Sequence, residues 1–148
     1  MANEINWVSN PTLNAYLGTE LNALANAARV IGAAIDNSTA LDIYMDLELY
    51  LAEQAGARSA GARVDVYLVS SLDGGTNYGY GAADLTPAAH ALVWTFALDA
   101  AVSARYVTSK PFVVGPGHHK LLIVNSTGQA FAASGNTLKY RVFSEEIQ

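Results

Sequence analysis

The feature that most constrains this chain is the stretch LDIYMDLELYL at 41–51. Leu41, Ile43, Met45, Leu47, Leu49 and Leu51 alternate with Asp42, Tyr44, Asp46, Glu48 and Tyr50. Successive side chains of an extended strand point to opposite sides, so this period predicts a long strand with one buried face. An apolar strand face needs a second layer to cover it. The preceding Asp36-Asn37-Ser38-Thr39 has turn chemistry.

Further strands are expected at 62–70, with Val64, Val66 and Leu68 inward, and at 91–99, with Leu92, Trp94, Phe96 and Leu98 on one face. Others are expected at 105–109, at 112–114, where Pro111 points to an edge, and at 118–125, which is apolar on both faces. A brief strand is expected near Phe131, and a last one at 137–144, where Leu138, Tyr140 and Val142 alternate. Between them lie a small-residue loop at 52–61, a glycine- and tyrosine-bearing loop at 71–83, and turns at 115–117 and 126–128. Short strands separated by turns, with no strand–helix–strand alternation, predict an all-β antiparallel β-sandwich or barrel and exclude α/β folds. Residues 1–18 have no steady period and read as an extended N-terminal arm carrying Trp7 and Tyr16, which leaves 19–148 as the sandwich domain. The segment 19–35 fits either of two readings. Leu17, Leu21, Leu24, Ala28, Ile31 and Ile35 have helical spacing, whereas Asn22, Asn26 and Gly32 favour an extended chain. Packing the Leu, Ile and Val rows inward leaves Tyr44, Tyr50, Tyr67, Val69 and Val93 outward, where they are expected to meet a neighbour.

The 148 residues suffice for one domain with its own core. Charged residues make up 14% of the chain, against roughly 25% in soluble domains. So few charges imply that other subunits cover part of the surface. Lys and Arg number 8 against 13 Asp and Glu, a formal charge of −5, which disfavours nucleic acid as a partner. With no cysteine, disulfide and thiolate chemistry are excluded. Neither a secretory leader nor an apolar run long enough to span a membrane is recognisable, so no membrane partner is expected. The chain is expected to be made and kept in a reducing compartment, or exported as part of something larger.

No residue set points to catalysis, a cofactor or a metal. His118 and His119 are adjacent, so on a strand they face opposite ways; His90 stands apart. Asp42, Asp46 and Glu48 share a strand face, the pattern of a solvated surface as well as of paired carboxylates. Asp73-Gly74-Gly75-Thr76-Asn77 has too few carboxylates for a calcium cage. There is no GxSxG, and Gly79-Tyr80-Gly81 lacks the further glycine and helix of a phosphate loop. Asn77-Tyr78-Gly79-Tyr80 is either a binding platform or a lid folded over the sandwich.

Several motifs together resemble a family. They are Ile-Asp-Asn-Ser-Thr (35–39) after an Asn-rich start, Leu-Asp-Ile-Tyr-Met-Asp-Leu-Glu (41–48), the Ser71–Tyr78 loop, Lys120–Ala130 and Ser134–Arg141. Over about 19–145 the chain resembles structural proteins of tailed-phage and prophage virions. The resemblance implies a jelly-roll-like sandwich that decorates or cements a capsid, with the major capsid protein and further copies of itself as partners. It implies a place on the virion surface after synthesis in the host cytoplasm, and an extended 19–35. Trp7 and Tyr16 on the arm, with Tyr44, Tyr50, Tyr67, Tyr78 and Tyr80, are the expected partner-binding residues. Rival readings are a tail or baseplate component and a carbohydrate-binding module using Tyr78, Tyr80 and Trp94.

Overall fold

The computed structural model describes residues 5–7, 12–79 and 87–147. The strands are β1 (Ile5–Trp7), β2 (Asn14–Leu17), β3 (Arg29–Ile31), β4 (Ile35–Asn37), β5 (Tyr44–Leu51), β6 (Arg63–Ser71), β7 (Leu92–Ala97), β8 (Arg105–Thr108), β9 (Phe112–Val113), β10 (Gly117–Ser126), β11 (Thr137–Phe143) and β12 (Glu145–Ile147). Single 3-10 turns occur at Thr19–Leu21 and Ala89–Ala91. One five-stranded sheet runs β3-β10-β6-β7, with β4 also on β10; the other runs β2-β11-β5-β8, with β9 also on β5. Every pairing is antiparallel. With β3/β4 and β8/β9 each taken as one interrupted strand, the sandwich strands in chain order lie 1-8-3-6 in one sheet and 2-7-4-5 in the other. Every connection except β6–β7 passes from one sheet to the other. This is the jelly-roll order of an antiparallel β-sandwich.

The alternation of β5 is the seam of the core. Met45, Leu47, Leu49 and Leu51 are buried against Val64, Val66, Leu121, Ile123 and Phe96 of the facing sheet, with Leu138 beside them. The row stops at Met45. Leu41 and Ile43, expected to continue it, precede β5 and are exposed: Leu41 lies in a turn at positive φ, and Ile43, though still bonded to Phe143 O and Val114 N, lies outside the buried row. The edge expected from Pro111 is present: β8 and β9 both line one side of β5. Across the break the Ser109 amide bonds Leu47 O (2.9 Å), and the Leu47 amide donates to Ser109 Oγ (2.8 Å).

In β7, Phe96 is buried and Trp94 packs beside it, but a bulge between Val66 and Tyr67 changes the face. Leu92 thereby joins Tyr67 on the outer side, and Val93, expected outward, packs on the core. Val69, also expected outward, is buried outside the main core. It pairs with Lys120, whose ammonium lies over the Tyr78 ring, so the loop after β6 folds back across this part of the sheet.

Segment 19–35 is not a helix. Positive φ at Ala23 and Ala27 breaks any helical path. Tertiary hydrogen bonds override the alanine propensity: Ala23 N to Ala132 O, Ala27 N to Asn125 O, Asn136 Nδ2 to Asn22 Oδ1 and Gly128 N to Asn26 Oδ1. Phe131, in the β10–β11 connection that meets this segment, is buried outside any strand, its amide bonding Leu24 O.

Residues 14–17, assigned above to the arm, are the edge strand β2 of the sandwich. Tyr16 joins the two sheets. Between β3 and β4 the chain leaves β10, and the Tyr16 hydroxyl fills the gap: it accepts from Leu121 N (2.7 Å) and donates to Ala33 O (3.0 Å). Gly32 makes room, since a Cβ there would sit 2.4 Å from the ring. The ring also meets Tyr140 edge-on. Nearer the N-terminus, β1 pairs with β12, Trp7 standing opposite Glu145, so the two chain ends run together.

Burial pushes the Tyr16 phenol up to about 12. A raised folded-state pKa favours the protonated fold, so this contribution is intact below pH 10 and is lost as pH climbs from 10 to 12. Tyr16→Phe strands the Leu121 amide and is expected to cost about 1–3 kcal/mol at pH 7. In urea titrations the gap between wild type and variant should narrow by up to about 2 kcal/mol between pH 10 and 12. A constant gap would contradict the bridge.

Candidate functional site

Three surfaces contain the residues singled out from the sequence. The first is the outer face of the β5 sheet. Asp46 and Glu48 are each paired with a base directly opposite on β11. Arg141 donates from Nε and Nη2 to Asp46 at 2.7–2.9 Å, and Lys139 Nζ reaches Glu48 at 3.2 Å. The carboxylates therefore form a cross-strand ion-pair ladder rather than an open acid pair. Aromatic rings flank it. Tyr50 lies 6.4 Å from Tyr106 at one end, and Tyr44 lies 5.6 Å from Phe143 at the other. All but the exposed Tyr106 are partly buried. The Tyr106 hydroxyl hydrogen-bonds Glu48, which holds its proton above the ordinary phenol value. An open groove of about 590 Å³ runs past the ladder, lined by Leu13, Lys110 and Pro111 among others. Sequence reasoning found Tyr44 and Tyr50 and missed Tyr106 and Phe143, which the pairing of β8 and β11 with β5 brings alongside.

The second surface is the outer side of the other sheet. Tyr67 lies there, partly buried, between Leu122 and Leu92. Tyr78 is a lid: its hydroxyl is buried without a hydrogen-bond partner and its ring is under Lys120 at 4.2 Å. One face of the Tyr78 ring is thus taken by Lys120, and Trp94 packs against Phe96. Tyr16 is committed to the bridge between sheets. Tyr80 and the Trp7 side chain lie outside the described residues.

The histidines diverge as adjacency requires. His118 Nε2 is 3.5 Å from Asp36 Oδ1. His119 is buried, with Nε2 2.7 Å from Gly115 O and Nδ1 2.9 Å from Ser70 Oγ. A carbonyl only accepts, so Nε2 carries a proton and the ring ties the turn before β10 to β6. Among the described residues no group of three His, Cys, Asp or Glu is placed to hold a metal ion.

The third surface is one end of the sandwich, where the segments 38–43, 72–79 and 114–116 meet. The buried Asn37 holds this end: Nδ2 donates to Asp42 O (2.8 Å) and Gly115 O (2.9 Å), and Oδ1 accepts from Asp42 N (2.9 Å). The turn so fixed puts Leu41 at φ +56°, a backbone region a leucine rarely enters, with its side chain 56% exposed. In the neighbouring loop Asp73 accepts from Asn77 N (2.8 Å), Asn77 Nδ2 (2.6 Å) and Ser71 Oγ (2.7 Å). The Asn77 amide and then the Ser71 hydroxyl hold its carboxyl down to about 2. Leu72, on this hydrogen-bonded loop, is fully exposed. Ile43 and Val113 are also exposed here.

The opposite end is closed by polar groups the sequence did not flag. Arg58 is fully buried and donates to Asp99 O, Asp99 Oδ1 and Ser103 O, each at 3.0 Å. Asp99 also pairs with Arg105, and these bases hold its carboxyl at about 2. Asn125 donates to Leu24 O and Gln129 O at 2.8 Å and accepts from Thr127. One end is thus satisfied internally while the other presents apolar side chains to solvent. No protein-family model and no curated protein matches this sequence.

Asn37→Ala removes the partner of three backbone groups and is expected to cost about 1–3 kcal/mol in urea unfolding. Because the Asp73 carboxyl is depressed, its bracing of the 71–77 loop is present above pH 4 and lost as pH falls toward 2. Amide exchange at Asn77 and Gly75 should therefore accelerate over that interval relative to β5, and unchanged protection would contradict the bracing.

Proposed function

We propose that this chain is a structural component of a tailed-phage virion, a capsid decoration or cement protein that binds the shell where capsomers meet and stabilises it. The observation that carries the reading is the outer face of the β5 sheet. Tyr44, Tyr50, Tyr106 and Phe143 lie at the surface of a two-layer scaffold, on a chain in which only 14% of residues are charged. Aromatic rings on a firm backbone are what association surfaces are enriched in. An interface of roughly 800 Å² a side would cover about a tenth of the chain's 7914 Å² surface. The jelly-roll order supports the reading as a scaffold and is silent on role, since the same fold hosts many functions. The sequence resemblance supplies the role. In this mechanism the tyrosine-flanked face meets neighbouring copies around a capsomer, and the array so formed spreads the load of a packed genome across the junctions.

The test is sedimentation of the purified protein with shells that lack it. Binding should saturate at a fixed ratio and raise the temperature at which the shells break. Tyr50→Ser with Tyr106→Ser should weaken binding at least about tenfold, the equivalent of about 1.4 kcal/mol. Failure of the wild-type protein to sediment with shells would overturn the reading.

A further inference from the structure

We infer that the end of the sandwich formed by 38–43, 72–79 and 114–116 is the part that seats on the shell protein, and that its seat is an apolar depression rimmed by lysine and arginine. This rests on the virion reading and adds to it the docking element and the chemistry of the partner.

The apolar content of this end is selective. Leu41, Ile43, Leu72 and Val113 are four of the seven large apolar side chains most exposed among the described residues. The two leucines are not on loose chain. Leu41 is held in a left-handed backbone by the buried Asn37, and Leu72 lies between Ser71 and Asp73, which bond each other and close the loop onto Asn77. A backbone strained to expose a leucine, and fixed there by buried hydrogen bonds, is the arrangement expected where shape must be ready before contact.

Charge chooses the occupant. Asp36, Asp42, Asp73 and Glu145 stand at this end: Asp36 faces His118, Asp42 accepts from Ser144, Asp73 accepts from Ser71, and Glu145 accepts from Tyr44. Segments 36–43, 71–79 and 114–118 contain no lysine or arginine, and Lys120, whose ammonium rests on the Tyr78 ring, is a single cation against these four carboxylates. A second copy docking end to end would set carboxylates against carboxylates, so a copy of this chain is the disfavoured occupant. A partner with apolar sockets for the leucines and cations around them satisfies both features.

The experiment uses the full chain and shells lacking it, at several salt concentrations. Leu41→Ser with Leu72→Ser should weaken binding at least about 100-fold, as expected for losing two buried leucines. Asp36→Asn with Asp42→Asn should weaken it about threefold and flatten its salt dependence. Unfolding midpoints confirm that each variant folds. If the leucine variant binds like wild type while Tyr50→Ser with Tyr106→Ser does not, the docking end is overturned and the virion reading stands. Wild-type binding that is insensitive to salt overturns the cationic rim. Absence of any wild-type binding overturns the virion reading, and this partner with it.

Discussion

Everything in this protein depends on covering one row of side chains. Met45, Leu47, Leu49 and Leu51 project from the inner face of β5, and water excludes them at roughly 1.5–3 kcal/mol each when fully buried. The chain meets that demand with a facing sheet whose own inner row, Val64, Val66, Leu121 and Ile123, is equally dry. The jelly-roll path follows from supplying both layers in turn, since nearly every connection carries the chain from one to the other. Such a path has many crossings and few local contacts, so its ends must be tied by something other than sequence neighbours.

Polar side chains do that tying. Tyr16 closes the β2 and β3/β4 edges where the ladder on β10 is interrupted. Asn22, Asn26, Asn125 and Asn136 act as surrogate backbone at the end where Arg58 is buried. Asn37 and Asp73 do the same at the other end, but there the result is exposure rather than closure. The same chemistry thus makes one end inert and leaves the other with a fixed apolar relief.

The long strands were legible because alternation is local: β6, β10 and β11 fall within one residue of their expected bounds, and β5 ends where expected but begins three residues late. What was illegible depended on partners distant in sequence. Strand β2 is four residues long and takes its ladder from β11, so nothing within 14–17 announces it. The alanines of 19–35 favour helix until Asn125 and Ala132 claim their amides. Leu41 and Ile43 continue the period of β5 in sequence but lie past the point where the second layer ends. Val69 is buried by a loop whose return no periodicity encodes. Of the candidate tyrosines, Tyr44 and Tyr50 lie on a surface face as alternation requires, whereas the burial of Tyr16 and the lid position of Tyr78 arise from packing between elements.

The most direct measurement of the central claim is the number of copies of this chain per copy of the most abundant shell protein in purified particles, by quantitative peptide mass spectrometry. A protein that tiles capsomer junctions is present at a ratio near one or a simple fraction of it. A handful of copies per particle, or none, would contradict the account.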